Sequence, residues 1–297
     1  MPRRDEPSVE PAVSIVMPVR NAQGTIDAAV RSIVAQTCEA WELVIVDDGS
    51  TDSTVQRLQA WAEMDARIRP LVDGRWLGTS ARRNEGVRHS RAPIIAQMDG
   101  DDICYPHRLE TQLAFLRENP AVDVVGAGSM VFKSDGTLRG PRGWPGGHEE
   151  LTANPMLNGI PLAGPTWMGR RSWFLKFPYD PRARNCEDWE LLLRGYTASR
   201  YANRPDVLLG YREDRVKLRR SIEARLRGVI FLMRYGFRDG RILSSLVGSA
   251  AQLAKGVRDT VAVVARRQDL VLVRRNQVPT ASEIATWRLL WSEFADA

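Results

Sequence analysis

Between Val13 and about Val131, short apolar runs alternate with stretches in which apolar residues recur at three or four positions. This is the order expected of an α/β chain built on βαβ units. "VSIVMPV" (13–19), "ELVIVD" (42–47), "IRPLVD" (68–73), "APIIAQMD" (92–99) and "VDVVGAGSMVF" (122–132) read as strands. Helices are expected near 24–36, 53–64, 79–90 and 106–118, the first preceded by Asn21 and the second capped by Ser50 or Asp52. Ligands of such open sheets bind beyond the carboxyl ends of the strands. Both acidic clusters, Asp47-Asp48 and Asp99-Gly100-Asp101-Asp102, fall there.

Farther along, residues 134–163 are rich in Gly and Pro, which suggests a mobile loop over the active face rather than core. A helix over 187–196 puts Trp189, Leu192 and Leu193 on one side, with Glu187 and Asp188 at its start. Beyond Arg212 the pattern is helical throughout. Ile242, Leu246, Ala250, Leu253, Val257, Val261 and Val264 form an apolar stripe with Arg and Lys elsewhere. The expected organisation is a flexible N-terminus (1–12), one unit over 13–211 and a basic helical extension over 212–297.

Charge sharpens this division. From Arg212 onward there are 17 Lys and Arg against 9 Asp and Glu, so the overall net charge of +6 belongs to the C-terminal part. A basic segment attached to a near-neutral unit points to a membrane surface, to nucleic acid or to simple solubility. The three cysteines, Cys38, Cys104 and Cys186, are widely spaced and odd in number, which suggests neither a disulfide framework nor a thiolate site and fits a reducing cytoplasm. No run of about 18 apolar residues occurs, so no spanning helix is expected. The expected location is the cytoplasm, with peripheral contact to the inner face of the membrane.

Asp99, Asp101 and Asp102 crowd three carboxylates behind an apolar strand, where they repel one another unless a cation sits among them. Asp at i and i+2 can both reach one hard cation, Mg²⁺ or Mn²⁺, whose remaining sites go to water and phosphate oxygens. "VIVDDGSTDST" (44–54) is either a plain β–α connection with a cap, or a place where Asp47 or Asp48 bonds a nucleotide base or ribose. Arg82, Arg83 and Asn84 in "GTSARRNEGV" (78–87) form a diphosphate or base clamp, or else a solvated basic helix face. Glu187 and Asp188 serve either as dipole caps or as a general base for an incoming hydroxyl. "GAGSMV" (126–131) lacks the third Gly of a dinucleotide fingerprint, and His89, His107 and His148 have no ligand spacing.

Taken in order, "VSIVMPVRNAQGTIDAAVRSIVAQT", "WELVIVDDGSTDST", "GTSARRNEGV", "MDGDD", "GPTWMGRRSWF" and "NCEDWELLLR" resemble the inverting family-two glycosyltransferases over roughly residues 13–211. The resemblance implies a GT-A-like, Rossmann-related mixed sheet flanked by helices, a hexosyltransferase-like activity and a part in polysaccharide or cell-envelope biosynthesis. It also implies a nucleoside diphosphate sugar as donor, UDP-linked, and a divalent cation, Mn²⁺ or Mg²⁺. On this reading Pro18, Asp47 and Asp48 line the nucleoside site, and Arg83, Asn84 and Asp99 sit near the donor. Asp99 and Asp101 form the metal-binding DxD pair, with Gly100 between them, and Asp188 with Glu187 supplies the base. Thr166, Trp167 and Arg170 belong to the acceptor side, the acceptor being a hydroxyl of a saccharide or lipid-linked saccharide.

The chain lacks the Gln-x-x-Arg-Trp motif and the membrane helices of processive synthases, which argues against polymer extrusion. Two other readings compete. A DxD-type phosphotransferase would need a downstream Lys and a second acidic pair, which are not convincingly placed. A non-catalytic membrane-surface or nucleic-acid binder leaves the ordered acidic motifs unexplained, and no nucleic acid is expected as a partner.

Overall fold

The computed structural model describes residues 10–215, 217–267 and 276–295. Most of the expected N-terminal segment (1–9) and the Arg274-Arg275 pair lie outside the described residues. Strands β1 (Val13–Val19), β2 (Trp41–Asp47), β3 (Ile68–Leu71) and β4 (Ile94–Gln97) run parallel, in the order β3-β2-β1-β4. β1, β2 and β4 are buried nearly throughout, which is why they read as continuous apolar runs rather than as alternation. Pro18 falls where β4 has already ended, since Val16 is the last β1 residue paired with it. Its missing N–H therefore costs no ladder bond on that side.

Between these strands lie α1 (Ile26–Val34), α2 (Thr54–Met64) and α3 (Thr79–His89), close to their expected spans. Of the two candidate caps for α2, Asp52 holds the Thr54 N–H at 3.0 Å, although Ser53 stands at the cap position itself. After β4 come a short β5 (Ile103–Cys104), α4 (Arg108–Glu118) and the buried β6 (Val124–Phe132). The rejected "GAGSMV" dinucleotide match is part of this strand.

Residues 134–163 differ from the expected loop. β7 (Leu138–Arg142) pairs with β6, and two one-turn helices follow, α5 (His148–Leu151) and α6 (Pro155–Asn158), with Leu151 and Met156 buried. β8 (Met168–Arg170) then inserts antiparallel between β4 and β6 and makes the sheet mixed. α7 (Arg171–Lys176), α8 (Glu187–Gly195) and β9 (Tyr201–Arg212) complete the sheet, β9 running parallel to β6 with β5 at its far edge.

Among the described residues that follow are α9 (Leu218–Arg238), α10 (Ile242–Val264) and α11 (Ala281–Phe294). α11 returns to the sheet, where Trp287 packs on Phe132 at 4.5 Å and donates its indole N–H to the Gly136 carbonyl. Gly210 of β9 makes room for that ring, because a Cβ there would meet it at 2.5 Å. α10 packs with its polarity inverted. Its buried residues are Ser245, Gly248, Ser249 and Asp259, whereas the large residues of the predicted apolar stripe face outward. The stripe is therefore not packed on the sheet.

Candidate active site

The parallel register brings the ends of β1 and β2 side by side, Val19 opposite Asp47, and places the turn after β4 beside them. A cleft of about 870 Å³ opens there; its wall includes Pro18, Asp48, Arg83, Asp99, Asp101 and Glu187. Residues separated by up to about 170 positions thus share one concavity because three strands end at one edge.

The two aspartates after β2 do different things. Asp47 turns inward, its Oδ2 accepting the Gly49 and Ser50 N–H groups at 3.0 Å each, and it fixes the turn without reaching the cleft wall. Asp48 does reach the wall, and it accepts the backbone N–H groups of Leu77 (2.7 Å) and Gly78 (3.0 Å) together with Arg82 Nε at 3.1 Å. Arg82 is buried and also pairs with Asp73 and Glu85. This network ties residues 73–78 to the start of α3. It sets Trp76 at the cleft, more than half exposed, with the Arg20 guanidinium 4.4 Å and that of Arg184 5.4 Å from its ring.

Arg83, one residue on and equally buried, joins the two acidic regions. Its Nη2 donates to Asp99 Oδ1 at 2.9 Å and its Nη1 to Asp188 Oδ1 at 2.7 Å. Burial alone would favour a neutral side chain, but Asp188 and then Asp99 outweigh it and hold Arg83 as a cation. Asp188 is pushed up to about 6, first by burial and then by the charges of Glu187 and Asp99, with Arg83 pulling the other way. A carboxylate tuned into that range is a better proton acceptor at neutral pH than an ordinary aspartate. Glu187 faces the cleft, and its Oε2 has no hydrogen-bond partner in the protein.

Oxygens of Asp99, Asp101 and Asp102 lie within 4.8 Å of one another. Asp101, on the open side, is nonetheless pushed up to about 6 by the protein bulk that crowds out its water and then by the charge on Asp99. Asp102 is buried, and its pKa is raised further by burial and by both neighbours. One Asp102 oxygen accepts the Arg212 N–H at 2.9 Å, while the other, Oδ2, is buried without a partner. Crowded carboxylates with raised pKa values and an orphaned oxygen fit the donor set of a hard divalent cation.

Other predicted residues are not brought to the cleft. Asn84 spends its amide on the Tyr179 backbone, donating to its carbonyl and accepting its N–H. Thr166 is buried, with its hydroxyl between Ala163 O and Ala127 N, and Trp167 is fully buried and stacks on Tyr179. Arg170 pairs with Ile94 at the start of β4, the opposite end from Asp99, and donates to the Leu116 and Pro120 carbonyls. Among the cleft-lining residues not singled out from sequence are Trp76, Arg212, Lys217 and Arg220. The last three belong to the basic C-terminal part, whose charge was visible although its return to the cleft was not.

The model for "Glycosyl transferase family 2" matches residues 14–177. EpsE of Bacillus subtilis, named as a glycosyltransferase, is 34% identical over 209 residues, 69% of this chain and 74% of that protein. The Escherichia coli UDP-Glc:alpha-D-GlcNAc-diphosphoundecaprenol beta-1,3-glucosyltransferase WfgD is 36% identical over 107 residues, 36% of this chain and 42% of its own. Among solved structures, residues 1–349 of S. aureus TarS superpose with a TM-score of 0.59 at 16% identity, covering 96% of this chain and 91% of that one. The mannosyltransferase PcManGT of Pyrobaculum calidifontis, in complex with GDP-Man and Mn²⁺, superposes at 0.56 with 17% identity, covering 97% and 86%. These two likenesses show the GT-A-like fold. With a family model over more than half of its length and a relative aligned over most of it, this nucleotide-sugar glycosyltransferase belongs to glycosyl transferase family 2.

Proposed function

We propose that the enzyme moves a sugar from a UDP-linked donor to a hydroxyl of a saccharide carried on a lipid diphosphate, with inversion at the anomeric carbon, at the cytoplasmic face of a membrane. The observation that carries this reading is the Arg83 bridge between Asp99 and Asp188, which couples a donor-side carboxylate to an acceptor-side one through a single buried cation. Support for the donor comes from WfgD, named for UDP-Glc, and from TarS, solved in complex with UDP-GlcNAc. WfgD is also named for a diphosphoundecaprenol-linked acceptor.

In this reading Pro18 and Asp48 flank the nucleoside directly, while Asp47 shapes the turn behind it. Asp99 and Asp101, backed by Asp102, would hold Mn²⁺ or Mg²⁺, which when bound offsets charge on the departing diphosphate. Arg212, Lys217 and Arg220 face the same space and add positive charge there. Asp188 takes the proton of the acceptor hydroxyl as the new bond forms, Arg83 orienting its carboxylate, and Glu187 stands beside it on the cleft wall. Peripheral membrane contact through the C-terminal helices completes the proposal.

A thermal-shift screen of nucleotide sugars with and without Mn²⁺, followed by assay of donor turnover, tests it. UDP-sugars should raise the melting temperature only with the metal, and Asp101→Ala should remove both the shift and the turnover. Full turnover in excess chelator would end the metal assignment.

A further inference from the structure

α9 and α10 form an antiparallel pair, and between them runs a groove of about 310 Å³. Ile222 and Leu226 of α9 face Leu253, Val257 and Val261 of α10 across it. Gly256 lies in its floor, and a Cβ there would come 3.3 Å from Arg225 Cδ. At its inner end the groove meets a second cavity of about 370 Å³, because Arg225 and Gln252 line both. That second cavity is polar. It is lined by Asp188 and Trp189, and it shares Asn185 and Glu187 with the large cleft. Three adjacent hollows, each sharing lining residues with the next, therefore run from an apolar trough, past the proposed base, to the donor site.

The change of chemistry along this path is graded. The outer hollow offers hydrocarbon, and the middle one is lined by the Arg225 side chain, whose guanidinium bonds Gln252 (2.8 Å) and Asp259 (2.6 Å). The inner one offers carboxylates. An amphiphile whose apolar tail is joined through an anionic linker to a sugar matches that sequence in order. Hydrocarbon leaves water for the trough, the linker meets Arg225, and the sugar hydroxyl arrives at Asp188.

We infer that the α9/α10 groove is the subsite for the hydrocarbon tail of the lipid-linked acceptor. This rests on the acceptor class proposed above. The groove adjoins the cavity that Asp188 lines, so tail binding sets the position from which the saccharide enters.

The test uses the full chain and a fluorescently labelled short-chain prenyl diphosphate, with binding followed by anisotropy. The wild type should bind it. Gly256→Phe, which fills the trough while improving helix propensity, should weaken binding by about tenfold or more and leave UDP binding unchanged. Absence of binding by the wild type, or equal binding by Gly256→Phe, overturns the inference. Inorganic diphosphate that competes as strongly as unlabelled prenyl diphosphate overturns it too, because the tail would then contribute nothing. Donor turnover is measured separately: if UDP-sugars are not consumed with any acceptor while the probe still binds in a Gly256-sensitive way, the proposed reaction fails and the groove stands.

Discussion

Arg83 joins the two acidic regions, and its position sets Asp188 apart from Glu187. Both were visible in the sequence as a pair at a helix start, where capping and catalysis look alike. The structure separates them: Asp188 is gripped by Arg83, whereas Glu187 lies along the cleft. Asp188→Asn should keep the fold and donor affinity while lowering turnover by about a hundredfold or more, the scale of general-base catalysis. Near-normal turnover in that variant with an inactive Glu187→Gln would move the base one residue upstream. The pH profile gives a second check. A base works only when deprotonated, and Asp188 is pushed up to about 6, so turnover should fall as pH drops through about 6. A limb nearer 4 would mean that Asp188 is not the group that titrates. Gly164 offers a second probe, since a Cβ there would lie 2.0 Å from Asp188 Oδ2 and 2.5 Å from its Cγ. Gly164→Ala should push the carboxylate off Arg83, so that turnover falls and the melting temperature drops with the lost ion pair.

Elements rather than residues decide which of these groups meet. The apolar runs at 13–19, 42–47 and 92–99 were legible because a strand buried on both faces has no polar alternation to blur it, and their carboxyl ends placed both acidic clusters correctly at one edge. The segment 166–170 was not legible in the same way. Whether its side chains face a cleft or a core depends on the partner strand, and antiparallel insertion of β8 between β4 and β6 turns Thr166 and Trp167 inward and carries Arg170 to the far end. Arg82, Arg83 and Asn84 are adjacent in sequence, yet α3 aims them at a structural network, at the site and at the Tyr179 backbone respectively. The first of these should reveal itself through stability. Replacing Arg82 by Ala leaves Asp48 with only the Leu77 and Gly78 N–H groups, and breaking the buried Arg82–Asp48 pair costs about 3–5 kcal/mol. Urea unfolding should show that loss, and a change below about 1 kcal/mol would mean that water replaces the guanidinium.

At the scale of the whole molecule, the unusual feature is the outward apolar face of the C-terminal hairpin. Among the described residues no helix is long and apolar enough to cross a membrane. Yet Leu243 and Val264, outside the groove, are 75% and 77% exposed, and Ile230 continues the face onto α9. From Lys217 to Arg267 there are 12 Lys and Arg but only three acidic residues, Glu223, Asp239 and Asp259, each paired with an arginine. An apolar face bordered by unbalanced cations matches the anionic surface of a bilayer. Burial supplies affinity, and each basic residue near the surface adds about 1 kcal/mol, acting over a Debye length of about 10 Å at 0.1 M salt. The full chain should therefore sediment with anionic vesicles at low salt and come off as salt rises. It should bind neutral vesicles less, and Leu243→Asp with Val264→Asp, both outside the groove, should weaken binding under every condition. Gly256→Phe should not, because it fills the groove and leaves the outer face apolar. This separates a bilayer contact from a tail subsite within the same pair of helices. If the protein ignores anionic vesicles at low salt and instead sediments as a dimer that the two aspartate substitutions dissociate, a second copy covers this face and the membrane assignment is lost.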